Sequence, residues 1–189
     1  MSWPVFLKSA LRDPNRIGAV APSSPHLARQ MVDDSDIHEG MCILEVGAGT
    51  GPMTSELIRQ GHTPHLVLEP CDELRSVLLG AHPHINAVAD GVANLAKTRA
   101  THELEPFDRV VSSLPWANWN TADQNERLNA ILNNMSSDGR MVTFTYAHTS
   151  MLPKARRFRK VLLERFREVT LSPVVWKNTP PAMVYRCQR

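Results

Sequence analysis

Between residues 41 and 146, apolar runs of strand length alternate with stretches whose apolar positions recur every three or four residues. In chain order these are MCILEV, a helical pattern from about Pro52, PHLVLE, a second from about Asp72, HINAVA, FDRVVSS, a third from about Ala122, and RMVTFTY. Such alternation predicts βαβ units, that is, an α/β fold with a mostly parallel sheet and helices on both faces. The runs are almost wholly apolar, as strands covered on both sides must be. After a basic helical pattern over residues 150–166, EVTLSPVVW and AMVYRC read as two more strands joined by KNTPP. They predict a terminal antiparallel hairpin on the sheet edge, where Pro173 is best tolerated. The first 40 residues break the alternation: helical patterns over residues 5–12 and 24–32 flank the Pro-rich joint GAVAPSSP. The reading is one domain over residues 1–189, with an N-terminal helical segment (1–40) ahead of a sheet unit (41–189).

Length supports this division, since 189 residues that are 42% hydrophobic suffice for one well-buried domain and not for two. The formal charge of +2 does not suggest a protein that coats nucleic acid. Cys42, Cys71 and Cys187 form no C-x-x-C pair and leave one over, which argues against a disulfide framework and for a reducing compartment. No run approaches 18 apolar residues, and MSWPVFLKSALRDP lacks the long apolar core and cleavage site of a signal peptide, so a cytoplasmic location is expected. His82 and His84 form an H-x-H pair with no third ligand nearby, and no metal is expected.

Candidate chemistry begins at ILEVGAGTGP, where a buried strand runs into a helix through Gly47, Gly49 and Gly51. Glycines permit the tight turn and let main-chain N–H groups approach a ligand. In a dinucleotide-binding G-x-G-x-x-G the third glycine would stand at position 52, which is Pro52, a residue suited to the first helical position. G-x-G-x-G preceded by Glu45 instead resembles the loop of class I S-adenosylmethionine methyltransferases. The candidate cofactor-binding residues are Glu45, Gly47, Gly49, Thr50 and Gly51, with Glu69 and Pro70 from LVLEP, Asp90 and Gly91 from AVADG, and Ser112. Glu69 is expected to accept both ribose hydroxyls, Asp90 the adenine amino group. Glu45 either orients the loop or meets the methionine ammonium. The simpler role for Glu69 and Asp90 is helix capping.

The run RVVSSLPW ends a buried strand in two hydroxyls, a proline and a tryptophan, which suits a pocket wall better than a core. Ser113, Leu114, Pro115 and Trp116 fit the [DNS]-x-P-[aromatic] pattern of methyltransferases acting on amino nitrogens. Ser113 and the carbonyl preceding Pro115 are expected to accept hydrogen bonds from an amine and aim its lone pair. Trp116 either stacks on a flat base or an ammonium, or closes the core edge. An ammonium must lose a proton before it attacks, and Tyr146 and His148, just after the fifth strand, are the candidate acceptors; their plain alternatives are a packing wall and a loop histidine.

Two basic elements point outward. Over residues 5–12, Trp3, Phe6, Leu7, Ala10 and Leu11 gather on one side of a helix and Lys8 and Arg12 on the other, the composition of an interfacial helix; a lid over the cofactor is the alternative. PKARRFRKVLLERFR carries seven basic residues against Glu164 alone, so residues 153–167 hold +6 and the rest of the chain −4. That patch suits anionic headgroups or RNA phosphates, over a face buried through Phe158, Leu162 and Phe166.

Taken together, FLKSALRDP, GAVAPSSPHLA, LEVGAGTG, VVSSLPW, FTY and NTPPAMVYR resemble the bacterial phospholipid N-methyltransferase family, which converts phosphatidylethanolamine to phosphatidylcholine. The resemblance implies a class I, Rossmann-like sheet of seven strands with a C-terminal antiparallel hairpin, preceded by a membrane-binding amphipathic helix. It implies S-adenosylmethionine as cofactor, S-adenosylhomocysteine as product, and up to three methyl transfers. Partners would be phospholipid and an anionic membrane surface, approached by a monomer at the inner face. Glu45, Gly47, Gly49 and Gly51 match the family's loop, Glu69 its ribose carboxylate, and residues 112–115 its post-strand motif. Trp116, in place of a smaller apolar residue, and FTYAHTS, in place of Gly-Pro after the tyrosine, depart from it on the substrate side. Two rivals stand beside this reading: an adenine N6-methyltransferase of ribosomal RNA, which would usually append a helical domain where only about 40 residues follow Tyr146, and a methyltransferase of a soluble amine or natural product.

Overall fold

The computed structural model of the protein describes residues 23–189. The expected interfacial helix, with Trp3, Phe6, Leu7, Lys8, Leu11 and Arg12, lies outside the described residues. Seven strands form one sheet: β1 (Ile43–Val46), β2 (Leu66–Leu68), β3 (Ala87–Val88), β4 (Phe107–Ser112), β5 (Met135–Tyr146), β6 (Glu168–Leu171) and β7 (Ala182–Gln188). Their order is β3-β2-β1-β4-β5-β7-β6. The first five are parallel, whereas β7 runs antiparallel to both β5 and β6, so the expected hairpin is added with its second strand innermost. This is the class I methyltransferase fold.

Alternation along the strands divides the core in two. Val110 and Met141 join Leu44, Leu66, Leu128 and Phe158 on one face, while their neighbours Val111 and Val142 join Leu27, Met31, Met53 and Leu57 on the other. Six helices cover these faces: α1 (Pro25–Ser35), α2 (Pro52–Arg59), α3 (Asp72–Ala81), α4 (Leu95–Thr101), α5 (Thr121–Leu132) and α6 (Pro153–Arg165). All four residues of β1 are buried, because strands lie on both sides of it and helices above and below. The chain moves outward from β1 to β2 and β3, then returns to β4 on β1's other side. Loops at the carboxyl ends of β1 and β4 therefore diverge, the place where open α/β sheets hold ligands.

Several elements differ from the sequence pattern. HINAVA reduces to Ala87–Val88 at the sheet edge, and β5 starts at Met135, ahead of the expected run RMVTFTY. Strand β6 stops at Leu171; of SPVVW only Val175 pairs, through an isolated bridge to Ala182, so Pro173 lies outside the ladder. Helix α4 was not predicted by periodicity. Asp90 ties the loop before it to the helix: its Oδ1 accepts from Gly91 N and Asn94 Nδ2 (both 2.8 Å) and its Oδ2 accepts from Thr98 Oγ1 (2.7 Å).

Helix α1 is joined to the sheet. Ser24 caps it by accepting from Leu27 N, and Leu27, Ala28, Met31 and Val32 are buried against β4, β5 and β7. Ser24 N donates to Asn178 Oδ1 (2.9 Å), Asp34 Oδ1 lies 3.1 Å from Arg186 Nε, and Asp36 Oδ2 lies 3.2 Å from an Arg140 guanidinium nitrogen. Ser24 of GAVAPSSP and Asn178 of NTPPAMVYR thus meet. Met31→Ala is predicted to cost about 2–5 kcal/mol in urea unfolding, the range for a fully buried Met; a cost below about 0.5 kcal/mol, as at a surface site, would mean that α1 is not part of the core.

Candidate active site at the carboxyl ends of β1, β2 and β4

The glycine turn is built by backbone conformation. Gly47, Gly49 and Gly51 all have positive φ (74°, 60° and 87°), a region that side chains rarely adopt. Close approach adds to this: a Cβ on Gly47 would lie 3.1 Å from Leu114 Cδ2, and one on Gly51 would collide with Leu78 Cδ1 at 2.5 Å, whereas one on Gly49 would face open space. The turn is anchored by Gly47 N donating to Leu68 O (2.8 Å), after which Pro52 starts α2.

Glu69, at the end of β2, is buried with its carboxylate oriented by main-chain donors: Gly49 N to Oε2 (2.8 Å) and Cys71 N to Oε1 (2.9 Å). It therefore ties the glycine turn to the β2–α3 loop. Glu45 is wholly buried one strand over. Its Oε2 accepts from Thr54 Oγ1 (2.7 Å) in α2, and its Oε1 has no hydrogen-bond partner among the described residues. Burial pushes the Glu45 carboxyl up to about 7, against the Thr54 hydrogen bond that lowers it. Glu45 therefore braces the strand against the helix that follows the loop.

At the end of β4, Ser113 N donates to Val46 O (2.9 Å), holding the SSLPW turn beside the glycine turn. Pro115 has φ −80° and ψ 59°, an inverse γ-turn, and Trp116 N donates across it to Leu114 O at 2.9 Å. The carbonyl expected to be free is thus half engaged, with one lone pair left. Trp116 is only 2% exposed: its ring stacks on Phe158 (5.1 Å, 8°), meets Trp119 edge-on (5.5 Å, 81°), and its Nε1 donates to Ser112 Oγ at 3.0 Å. It closes the core edge, and the open ring face expected for a base or ammonium is not presented. Ser113 differs, because its Oγ is shielded from solvent without a hydrogen-bond partner among the described residues.

A cavity of about 410 Å³ lies between these loops, within the range of small-molecule sites. Gly47, Ala48, Gly49, Thr50, Glu69 and Pro70 line one side, and Ser113, Leu114, Pro115, Trp116 and Tyr146 another. Of the residues expected at the site, Glu45, Gly51, Asp90, Gly91, Ser112 and His148 do not line it. Asp90 accepts from Gly91 N and from the Asn94 and Thr98 side chains, Ser112 Oγ accepts from Trp116, and His148 is exposed with its ring 6.0 Å from that of Tyr146. Burial raises the Tyr146 phenol above its ordinary value. Residues that sequence reasoning missed complete the wall: Leu152, Lys154, Ala155 and Phe158 from the start of α6, Phe144 from β5, and Ser23. The signal was present in Leu152, Ala155 and Phe158, three apart on one helix face, but basic neighbours made the helix read as surface.

The Glu45 carboxyl holds its proton more tightly in the folded chain than its ordinary value of 4.5. The stability it contributes is present below about pH 4.5 and lost as pH rises through about 7. Glu45→Gln stays neutral, so its melting temperature relative to the parent is predicted to climb between those two pH values and then level off; a difference independent of pH in thermal scans would contradict a buried, proton-holding Glu45.

No protein-family model matches the chain. It is 26% identical over 191 residues to an ornithine lipid N-methyltransferase of Singulisphaera acidiphila, covering 97% of this chain and 94% of that protein. Among solved structures, a glycopeptide N-methyltransferase, MtfA, complexed with S-adenosylhomocysteine superposes with a TM-score of 0.69 at 12% identity, over 87% of this chain and 90% of that one. The N-methyltransferase NodS of Bradyrhizobium japonicum, also with S-adenosylhomocysteine, gives 0.63 at 15% identity, over 86% and 85%. The strand order and the glycine turn at the end of β1 give this chain the fold of class I S-adenosylmethionine-dependent methyltransferases, and along nearly its whole length it is similar to a lipid N-methyltransferase.

Proposed function

We propose that the protein transfers methyl groups from S-adenosylmethionine to the amino headgroup of a membrane lipid, with phosphatidylethanolamine and its partly methylated forms as acceptors. The observation that carries the amine is Ser113: a shielded hydroxyl without a partner on the cavity wall, beside a Leu114 carbonyl with one lone pair free. A buried acceptor left unmade is costly, and N–H groups of an entering amine would satisfy both. The relative that methylates ornithine lipid supports a lipid acceptor and makes an aminoacyl lipid the second reading.

The residues present fit the cofactor. Gly49 leaves open space where a side chain would stand, and Glu69 offers a buried carboxylate already oriented by two N–H groups, suited to a ribose diol. Gly47 and Thr50 would border the cofactor, whereas Glu45 and Gly51 act through the shape of the turn. The bound sulfonium supplies an electrophilic methyl group. The chain's own part is placement, which supplies much of the rate in an in-line displacement. Ser113 Oγ and Leu114 O accept from the amine and direct its lone pair, while Phe158, Trp116 and Tyr146 keep out water. Burial in this apolar wall disfavours the ammonium form, so the amine gives up its proton to bulk water as it enters the cavity, before water is shut out.

A membrane approach is supported by what surrounds the cavity. Met151 (68% exposed) and Leu152 (52%) stand at its α6 side, and Trp176 (76%) follows Val175, which pairs with Ala182 beside Tyr146 at the same end of the sheet. Arg156, Arg157, Arg159 and Lys160 are exposed on α6 nearby. Large apolar side chains set among cations suit the boundary of an anionic bilayer. Among the described residues no helix is long and apolar enough to cross a membrane, and no group of side chains could hold a metal ion.

Label from methyl-labelled S-adenosylmethionine, offered in parallel to vesicles of phosphatidylethanolamine, vesicles of ornithine lipid, ribosomal RNA and a mixture of soluble amines, is predicted to extract with phosphatidylethanolamine. Label in ornithine lipid alone would shift the acceptor to the second reading, and label in RNA or in soluble amines alone would overturn lipid methylation.

A further inference from the structure

The cavity carries two charged side chains among its described lining residues, and they differ in kind. Glu69 is turned toward Gly49 N and Cys71 N. Lys154 stands in the first turn of α6 and has no ion-pair partner among the described residues; farther along the helix Lys160 pairs with Glu164. Lys154 also shares its place with a helix terminus. The cap residue Leu152 supplies no side-chain acceptor, Pro153 has no N–H, and the next main-chain donors are those of Lys154 and Ala155, both of which line the cavity.

This arrangement is unfavourable for a simple amine. A substrate that arrives as an ammonium would be repelled by Lys154 and by the positive end of α6. It becomes favourable if the same molecule carries an anion close to its amine, because the anion then meets Lys154 while the nitrogen reaches Ser113. We infer that Lys154, with the start of α6, forms an anion subsite that selects acceptors bearing a phosphate or carboxylate next to the amine to be methylated. This rests on the lipid-amine reading above and deepens it: the enzyme recognises a zwitterionic headgroup and not an amine alone. Lys154 is a specificity-determining residue, and the methyl transfer itself proceeds between sulfonium and amine without it.

The test uses the full chain with soluble headgroups and with lipids in non-ionic micelles, so that bulk membrane charge does not enter. Glycerophosphoethanolamine, ornithine and ethanolamine are titrated by NMR into the parent, Lys154→Ala and Lys154→Arg. The parent is expected to bind one anion-bearing headgroup at least about ten-fold more tightly than ethanolamine, a preference lost in Lys154→Ala and largely restored in Lys154→Arg. Preference for glycerophosphoethanolamine assigns the subsite to phosphate, and preference for ornithine to carboxylate. In micelles, KM for the anion-bearing lipid should rise about ten-fold in Lys154→Ala with kcat nearly unchanged, while KM for a long-chain amine that carries no anion should not rise. Equal headgroup binding by the parent and Lys154→Ala, or an equal rise in KM for the anion-free amine, overturns the subsite. Absence of methylation with every lipid would overturn the lipid reading instead, and the headgroup titration would still decide the role of Lys154.

Discussion

Two hydrogen bonds from main-chain N–H groups to one buried carboxylate hold the site together. Gly49 N and Cys71 N both donate to Glu69, so the turn after β1 and the turn after β2 share an anchor at the sheet's carboxyl edge. Charge-assisted bonds of this kind are stronger than neutral ones. Here they are possible because Gly49 adopts a positive φ that exposes its N–H. The same geometry that stabilises the turn leaves the cavity bordered by glycine backbone, with no side chain projecting from Gly49 to fill it. Stability and ligand access depend on the same three glycines.

The facing wall follows a different rule. Trp116 looks from its sequence position like a substrate-binding ring, yet it is built into the core by Phe158, Trp119 and the Ser112 hydroxyl. Aromatic pairs of this sort contribute roughly 0.5–1.5 kcal/mol beyond their buried area. Using Trp116 this way fixes the SSLPW turn against α6 and leaves Ser113 on the wall with a shielded hydroxyl that has no partner among the described residues. One hydroxyl is consumed in structure and the next is left for chemistry. The start of α6, held by Ala155 and Phe158, brings Lys154 to the same cavity.

What could be read from the sequence was whatever local pattern encodes. The parallel strands, the terminal hairpin, the glycine turn and Glu69 all sit in runs whose periodicity or residue type has one reasonable structure. Asp90 was different, because an acid before a glycine serves a ligand or a helix equally well. Its bonds to Asn94 and Thr98, four and eight residues on, tie it to α4, a helix that periodicity did not show. Trp116 could not be read, since its stacking partner is 42 residues away in sequence. Tyr146 and His148 are two residues apart, yet one lines the cavity and the other is exposed, because a short 3-10 turn at Ala147–Thr149 redirects the chain after β5. Helix α1 was legible as a helix but not as core, since its ties to Arg186, Arg140 and Asn178 span the length of the chain.

The central claim is that the oriented Glu69 carboxylate forms the donor side of the site. Its most direct test is calorimetric titration of S-adenosylhomocysteine into the parent and into Glu69→Gln, a nearly isosteric change that removes the charge and half of the acceptor capacity. The account predicts saturable one-site binding to the parent and a loss of about ten-fold or more in Glu69→Gln, with circular dichroism showing both folded. Equal affinity in the two proteins would contradict it and would place the cofactor's ribose elsewhere.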